Sequence, residues 1–134
     1  MQAKWNLIFA LTLLLISIPF ARAEDFIVYS IYRGVDLGNP GEPNLKDYYV
    51  NMGSNNGLKK GSSLEVVRKF STYDLTNQKL YKDVSFPIAK LKIIHVEGSA
   101  AIARLDEMMS PDKTPVISPK AVMVGDFVRT PAGR

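Results

Sequence analysis

The chain has 134 residues, a length that fits one domain, and it has no cysteine. That excludes thiol nucleophiles, thiolate metal sites, disulfides and a lipoprotein acylation site. Two of its basic residues, Lys4 and Arg22, lie in an N-terminal leader; the rest of the chain sets 15 Lys and Arg against 13 Asp and Glu, and a net charge of +2 gives no long-range attraction to nucleic acid.

The leader begins with Lys4, continues through the apolar run Leu7 to Ile18, and ends in Pro19, Phe20 and the small-x-small triplet Ala21-Arg22-Ala23. This is the three-part pattern of a secretory signal peptide, with cleavage expected after Ala23. An uncleaved anchor is the alternative. The stretch from Trp5 to Phe20 counts 16 residues, short of the roughly 18–20 that a spanning helix needs. The expectation is therefore residues 1–23 as leader, 24–134 as a single exported domain in the bacterial periplasm, and no transmembrane segment after cleavage. Without disulfides the domain rests on its core, and a chain of this length buries roughly 65% of its unfolded surface.

After the leader, Asp25 to Arg33 (DFIVYSIYR) is β-branched and aromatic and predicts a strand. Alternation puts Ile27, Tyr29 and Ile31 on one face and Phe26, Val28, Ser30 and Tyr32 on the other. The stretch 34–47 (GVDLGNPGEPNLKD) is an irregular connection, and Tyr48 to Val50 resumes a strand. Ser63 to Phe70 predicts the next strand, although Val67 breaks strict alternation. Ser71 to Pro87 is a polar excursion carrying Tyr73, Leu75, Leu80, Tyr81 and Phe86; so long a loop is usually functional or holds structure of its own, such as a short hairpin. Ile88 to Glu97 (IAKLKIIHVE) predicts a strand with Leu91, Ile93 and His95 on one face and Lys90, Lys92, Ile94 and Val96 on the other. Gly98-Ser99 is a two-residue turn signal, and Ala100 to Leu105 pairs back. Asp106 to Ser110 has room for one helical turn. Pro115 and Pro119 rule out a helix beyond it. Val122 to Arg129 predicts a final strand before a loose PAGR tail. No apolar period of 3.6 is sustained after Ala23, so the class is all-β. Five to six short strands in this length predict a small barrel, because closure removes exposed edges.

The stretch NMGSNNGLKKG (51–61) has glycines at 53, 57 and 61. A phosphate cradle needs different spacing, a lysine after the last glycine and a following helix; here a strand follows. The expectation is a pair of turns. Gly53 and Gly57 take positive φ, Asn55 and Asn56 tolerate the left-handed region, Leu58 dips into the core as a plug, and Lys59-Lys60-Gly61 turns into the next strand. Gly98 marks the hairpin turn. Gly125 repeats the glycine-polar-strand pattern, and the two corners are expected at the same end of the barrel.

Three runs, YYVNMGSNNGLKKGSSLEVVRK, PIAKLKIIHVEGSAAIARL and VMVGDFV, resemble the C-terminal domain of flagellar assembly protein T and related small β-modules of exported bacterial proteins. The resemblance rests on Gly53, Ser54, Gly57, Leu58 and Gly61, then Ile88, Ala89, Leu91 and Ile93, then Gly125 and Asp126, and covers about residues 48–129. It implies an SH3-like barrel in the periplasm with a binding or assembly role, an envelope or flagellar-type protein partner, and no catalysis. The flagellar protein carries further domains before its barrel, so the resemblance points to a stand-alone relative.

Candidate chemistry is sparse. His95 is the only histidine; it reads as an interior or rim residue, with a hydrolase base as the minor alternative. Asp106, Glu107 and Asp112 read as a solvated turn, and no ligand spacing points to a metal or another cofactor. Lys90 and Lys92 share a face, as edge protection or as a contact for anionic glycan or other polyanion. Tyr73, Tyr81 and Phe86 offer contact area for a partner, or fold back as a lid over the barrel. The expected function is a non-enzymatic periplasmic binding module.

Overall fold

The computed structural model describes residues 25–116 and 120–131. The leader with its cleavage site, Pro119 and residues 132–134 lie outside them. Six strands form one antiparallel sheet: β1 (Phe26–Arg33), β2 (Lys46–Val50), β3 (Ser63–Asp74), β4 (Lys79–Val96), β5 (Ala101–Met108) and β6 (Phe127–Arg129). Their order is β1-β2-β5-β4-β3-β6, and β6 pairs with β1 to close a barrel. Closure leaves no free sheet edge around the ring.

The interior is lined by Val28, Tyr48, Val50, Leu64, Val66, Ile88, Ala89, Leu91, Ile93, Ala101, Ala103 and Val128, with Met52, Leu58 and Val122 from the connections. Ala101 and Ala103 on β5 face the large aliphatics of β4, the complementarity that small residues permit in a narrow barrel. Burial pushes the Tyr48 phenol up from its ordinary value, and the nearby Arg33 guanidinium partly offsets this.

Bulges decide which residues point inward. In β1, Val28 pairs with Val50 and Ser30 with Tyr49, so Tyr29 is an extra residue. Alternation restarts after it, and Phe26, Val28 and Ile31 all reach the core while Tyr29 and Tyr32 point outward. This corrects the face assignment from strict alternation. In β4, Ile88 is extra opposite Val66 and Val67, which lets Ile88 and Ala89 both turn inward and accommodates Pro87 within a strand. Ile94 is extra opposite Ala103 and Ile102, which turns His95 out to solvent. His95 therefore leaves the face of Leu91 and Ile93 on which alternation placed it.

Three other elements depart from expectation. The excursion 71–87 is no inserted loop but a hairpin, the alternative its length allowed: β3 and β4 run on as paired strands to a turn at residues 75–78. The segment after Leu105 stays in β5 through Met108, and a short 3-10 helix (Pro111–Lys113) follows. The last strand covers only Phe127–Arg129; Val122 to Asp126 is a turn held by side chains.

The glycine-rich corner is structural. Residues 54–56 form one 3-10 turn, Leu58 is buried in the core cluster, and β3 follows at Ser63. Gly57 and Gly61 sit at φ +84° and +87°, where a Cβ is strained. Gly53 is different. Its φ is −142°, open to any residue, but an added Cβ would lie 2.4 Å from the Glu97 carbonyl oxygen. The glycine lets the corner dock on the β4–β5 turn, with Ser54 N donating to Glu97 O (2.8 Å) and Asn55 N to Gly98 O (2.9 Å). Asn55 and Asn56 stay right-handed, contrary to expectation, and the Asn56 side-chain oxygen accepts from Gly53 N at 3.1 Å. Gly98 marks the turn as expected, though its own φ is not positive. Gly125 does take positive φ, at +95°. Since β2 and β6 are both antiparallel to β1, the corner after β2 and the Gly125 turn before β6 lie at opposite ends of the barrel, not the same end.

Candidate functional site

The barrel proper uses only part of β3 and β4. Pairing of β3 with β6 stops at Val67, and pairing of β4 with β5 starts at Ala89. Beyond those limits the two strands pair with each other alone and form a ribbon. A bulge with Asp83 at φ +55° twists it. At its tip Asp74 accepts hydrogen bonds from Thr76 N (2.9 Å), Asn77 N (3.2 Å) and the Asn77 amide (2.8 Å). The Asn77 side chain above all holds the Asp74 carboxyl below its ordinary range.

Tyr73, Leu75, Leu80, Tyr81 and Val84 are exposed on this ribbon. Tyr73 pairs with Leu80 and Thr72 with Tyr81, so the two tyrosines point to opposite faces. Lys79 Nζ sits 4.9 Å from the Tyr81 ring centroid. Phe86 behaves differently: it meets Phe70 edge-on at 5.5 Å and packs against the core. Of the three aromatics read as contact or lid, Phe86 turns inward at the ribbon's root, while Tyr73 and Tyr81 stand in solvent.

The root is fixed by a buried ion pair that the sequence did not announce. Arg68 donates from Nε to Asp126 Oδ1 (2.9 Å) and from Nη2 to Oδ2 (2.7 Å), and Nη2 also reaches Ala121 O (2.8 Å). Asp126 Oδ2 accepts from Met123 N at 2.7 Å as well. The bidentate pair and the Met123 N–H satisfy the carboxylate of Asp126, a residue only 5% exposed, while Ala121 O takes a further guanidinium N–H. They tie the turn before β6 to the strand that carries the ribbon.

The lysines occupy a charge ladder on the outer face. Arg129, Glu65, Lys90 and Glu107 are directly opposite one another across β6, β3, β4 and β5. Arg129 Nε lies 2.6 Å from Glu65, and Lys90 Nζ lies 3.6 Å from Glu107. Lys90 thus stands between two carboxylates. Lys92 is exposed and pairs with Arg104, which in turn bonds Asp47 at 2.9 Å. His95 Nε2 is 2.7 Å from Glu97 Oε1, a pair on open surface. The Ser110 hydroxyl holds Asp112 below its ordinary range. Among the described residues no group of three His, Asp or Glu could hold a metal ion.

A second aromatic cluster, with Tyr29 and Tyr32 exposed and Tyr49 half-buried, has no signature in the sequence. Tyr49 meets Tyr32 at 5.0 Å and Tyr29 at 6.2 Å, both edge-on, on the outer face of β1 and β2. Tyr29 and Tyr32 are three apart and belong on opposite faces of a regular strand; only the bulge at Tyr29 unites them.

Fold and surface together define a small all-β barrel with a projecting ribbon. No model of a known protein family matches the chain, and no curated protein matches it. Among the described residues no helix is long and apolar enough to cross a membrane.

Proposed function

We propose that the protein is a non-enzymatic binding module of the SH3-like barrel type, exported to the periplasm behind a cleaved leader, and that its β3–β4 ribbon grips a protein of the cell envelope. The observation that carries this reading is the ribbon itself. A two-stranded ribbon alone in water is marginally stable. This one carries Tyr73 and Leu80 on one face, Tyr81 on the other and Leu75 at the tip, all exposed, where polar residues would serve an idle hairpin. Aromatic side chains of this kind give large contact area for little ordering entropy. The likeness of the glycine corner and the closing Gly125-Asp126 to the flagellar assembly domain supports an assembly role over catalysis.

The charge ladder speaks against the lysine face as a polyanion site, since Lys90 is flanked by Glu65 and Glu107. The exposed His95–Glu97 pair speaks against a hydrolase, which requires a base in a pocket with a nucleophile in reach.

The test is capture of envelope proteins by the tagged protein and by a Tyr73→Ser/Tyr81→Ser variant. Both side chains point to solvent, so the variant keeps its fold. Loss of a discrete captured partner supports the reading; undiminished capture removes it.

A further inference from the structure

The ribbon has two outer edges, and they are built differently. The edge of β4 carries the usual guards against strand pairing. Pro87 lacks an N–H, and Ile88 O already accepts from Met109 N at 2.9 Å. Asp83 at φ +55° breaks the line of the strand, and Lys79 and Lys82 stand exposed beside it. The edge of β3 from Lys69 to Asp74 has neither proline, glycine nor a positive φ. The extra residues of both bulges lie on β4, so β3 runs through without interruption. Its one lysine there, Lys69, is turned back onto the barrel, with Nζ 3.9 Å from the Phe127 ring centroid and 3.7 Å from Asp25. Pairing with β6 ends at Val67, and the Arg68–Asp126 pair brings the turn before β6 level with Arg68. Beyond that point no strand among the described residues covers the edge of β3.

What fits the edge is set by its chemistry. A row of N–H and C=O groups at strand spacing is matched by another extended backbone. Charge narrows the choice. Arg68 and Lys69 stand at the root of the ribbon and Asp74 at its tip, so the edge has a basic end and an acidic end. Laid antiparallel on a second copy, each basic end meets the acidic end of the other. A two-fold axis through the pair puts one residue opposite itself. With Ser71 on the axis, Lys69 faces the copy's Tyr73 and Phe70 its Thr72. With Thr72 on the axis, Ser71 faces the copy's Tyr73 and Phe70 its Asp74. Neither register sets like charges opposite each other, and Ser71 and Thr72 are both small and exposed.

We propose that the protein forms a two-fold dimer in which β3 pairs antiparallel with β3 of a second copy beyond the barrel. The two ribbons then make one continuous sheet with a guarded β4 at either border, which ends growth at two copies. The contact is short beside a standard interface of about 1,600 Å², so the dimer is weak and governed by concentration. Edge pairing leaves both faces of each ribbon open. The dimer therefore stands whether or not the ribbon grips another protein, and it would present Tyr73 and Tyr81 in duplicate.

The experiment uses the absence of any native cysteine. Ser71→Cys, Thr72→Cys and, as control on the guarded edge, Lys82→Cys are oxidised mildly and run on a non-reducing gel. A cysteine on the axis faces its own copy at a Cα separation of about 5 Å, within disulfide reach. One residue off the axis, the two cysteines stand diagonally about 7–8 Å apart, beyond it. A disulfide dimer should therefore form at position 71 or at 72, not at both, and not at 82. Sedimentation equilibrium of the unaltered protein, from micromolar to millimolar, should show a mass rising from one chain toward two and no further. Ser71→Lys/Thr72→Lys, at exposed positions that leave the fold intact, should weaken association about tenfold or more by setting like charges together. The proposal is overturned by a single-chain mass throughout, by growth past two chains, or by a lysine variant that associates like the parent. It is equally overturned if neither 71 nor 72 crosslinks, if both do so alike, or if 82 crosslinks as readily.

Discussion

An alanine at position 53 would separate two explanations of the glycine corner. If Gly53 and Gly57 were both present for positive φ, both alanine variants would lose the same strain energy. The structure says otherwise. The Cβ introduced by Gly53→Ala would lie 2.4 Å from Glu97 O and 2.7 Å from both Ala100 N and Gly98 O, whereas ordinary contact begins at 3.4 Å. The corner and the β4–β5 turn must then part by about 1 Å. Two backbone hydrogen bonds cross that contact, Ser54 N to Glu97 O and Asn55 N to Gly98 O. Losing both costs about 1–3 kcal/mol, and forced overpacking is of similar size, about 1–3 kcal/mol. We expect Gly53→Ala to lose about 3 kcal/mol, since the two effects relieve each other in part. At Gly57 nothing lies within 4 Å of the added Cβ, and only the left-handed backbone is penalised, by about 1–2 kcal/mol. Urea denaturation followed by far-ultraviolet circular dichroism reads both, with an unchanged slope as the check that stability alone has moved. For a domain of this size each kcal/mol is worth roughly 4–8 °C in Tm. Equal losses, or a milder effect at 53 than at 57, would refute the docking of this corner on the β4–β5 turn.

Other outcomes follow from the same geometry. Asp126→Ala leaves the Arg68 guanidinium nearly buried without its carboxylate, and should cost about 3 kcal/mol in a denaturation experiment, while Glu65→Gln, which breaks the exposed pair with Arg129, should cost under about 1 kcal/mol. The Asp74 carboxyl is held below its ordinary value of 3.8 by Asn77 and Thr76. A group depressed on folding stabilises fully above its unfolded value and loses that contribution as pH falls through the folded one. The ribbon turn should therefore persist at and above pH 3.8 and loosen below it, seen as faster exchange of the Thr76 and Asn77 amides, with the barrel core unaffected.

Much of the fold was readable because the inward residues obey simple alternation over short spans. Leu64 and Val66, and Leu91 and Ile93, are where a period of two puts them. Leu58 plugs the core after Gly57, whose positive φ follows from its place beside an apolar residue in a turn; Gly61 shares that conformation, while Gly53, expected to, does not. The alternation fails at single extra residues. Tyr29, Ile88 and Ile94 each shift the pattern by one, and a shift by one exchanges faces. Hence His95, read as an interior or rim residue, leaves the Leu91 and Ile93 face for solvent near the end of β4, and the tyrosine cluster is invisible because 29 and 32 have opposite parity. Gly53 is glycine for a reason its neighbours do not show, because its constraint comes from Glu97, Gly98 and Ala100, distant in the chain. Of the three aromatics of the polar excursion, Tyr73 and Tyr81 are exposed and Phe86 packs against the core, a division their spacing does not show. The polar composition of that excursion allows a short hairpin but hides its continuity with the flanking strands, since strands with no core behind them need not alternate.

The most direct test of the account is a site-specific photo-crosslink. A photoreactive amino acid placed at Tyr81 on the ribbon and, as control, at Lys92 on the barrel wall should behave differently in envelope extracts. The account predicts one discrete adduct from position 81, competed away by unlabelled protein and not by the Tyr73→Ser/Tyr81→Ser variant, and no such adduct from position 92. The same adducts from both positions, or an adduct at 81 that the variant displaces as well as the parent does, would contradict it.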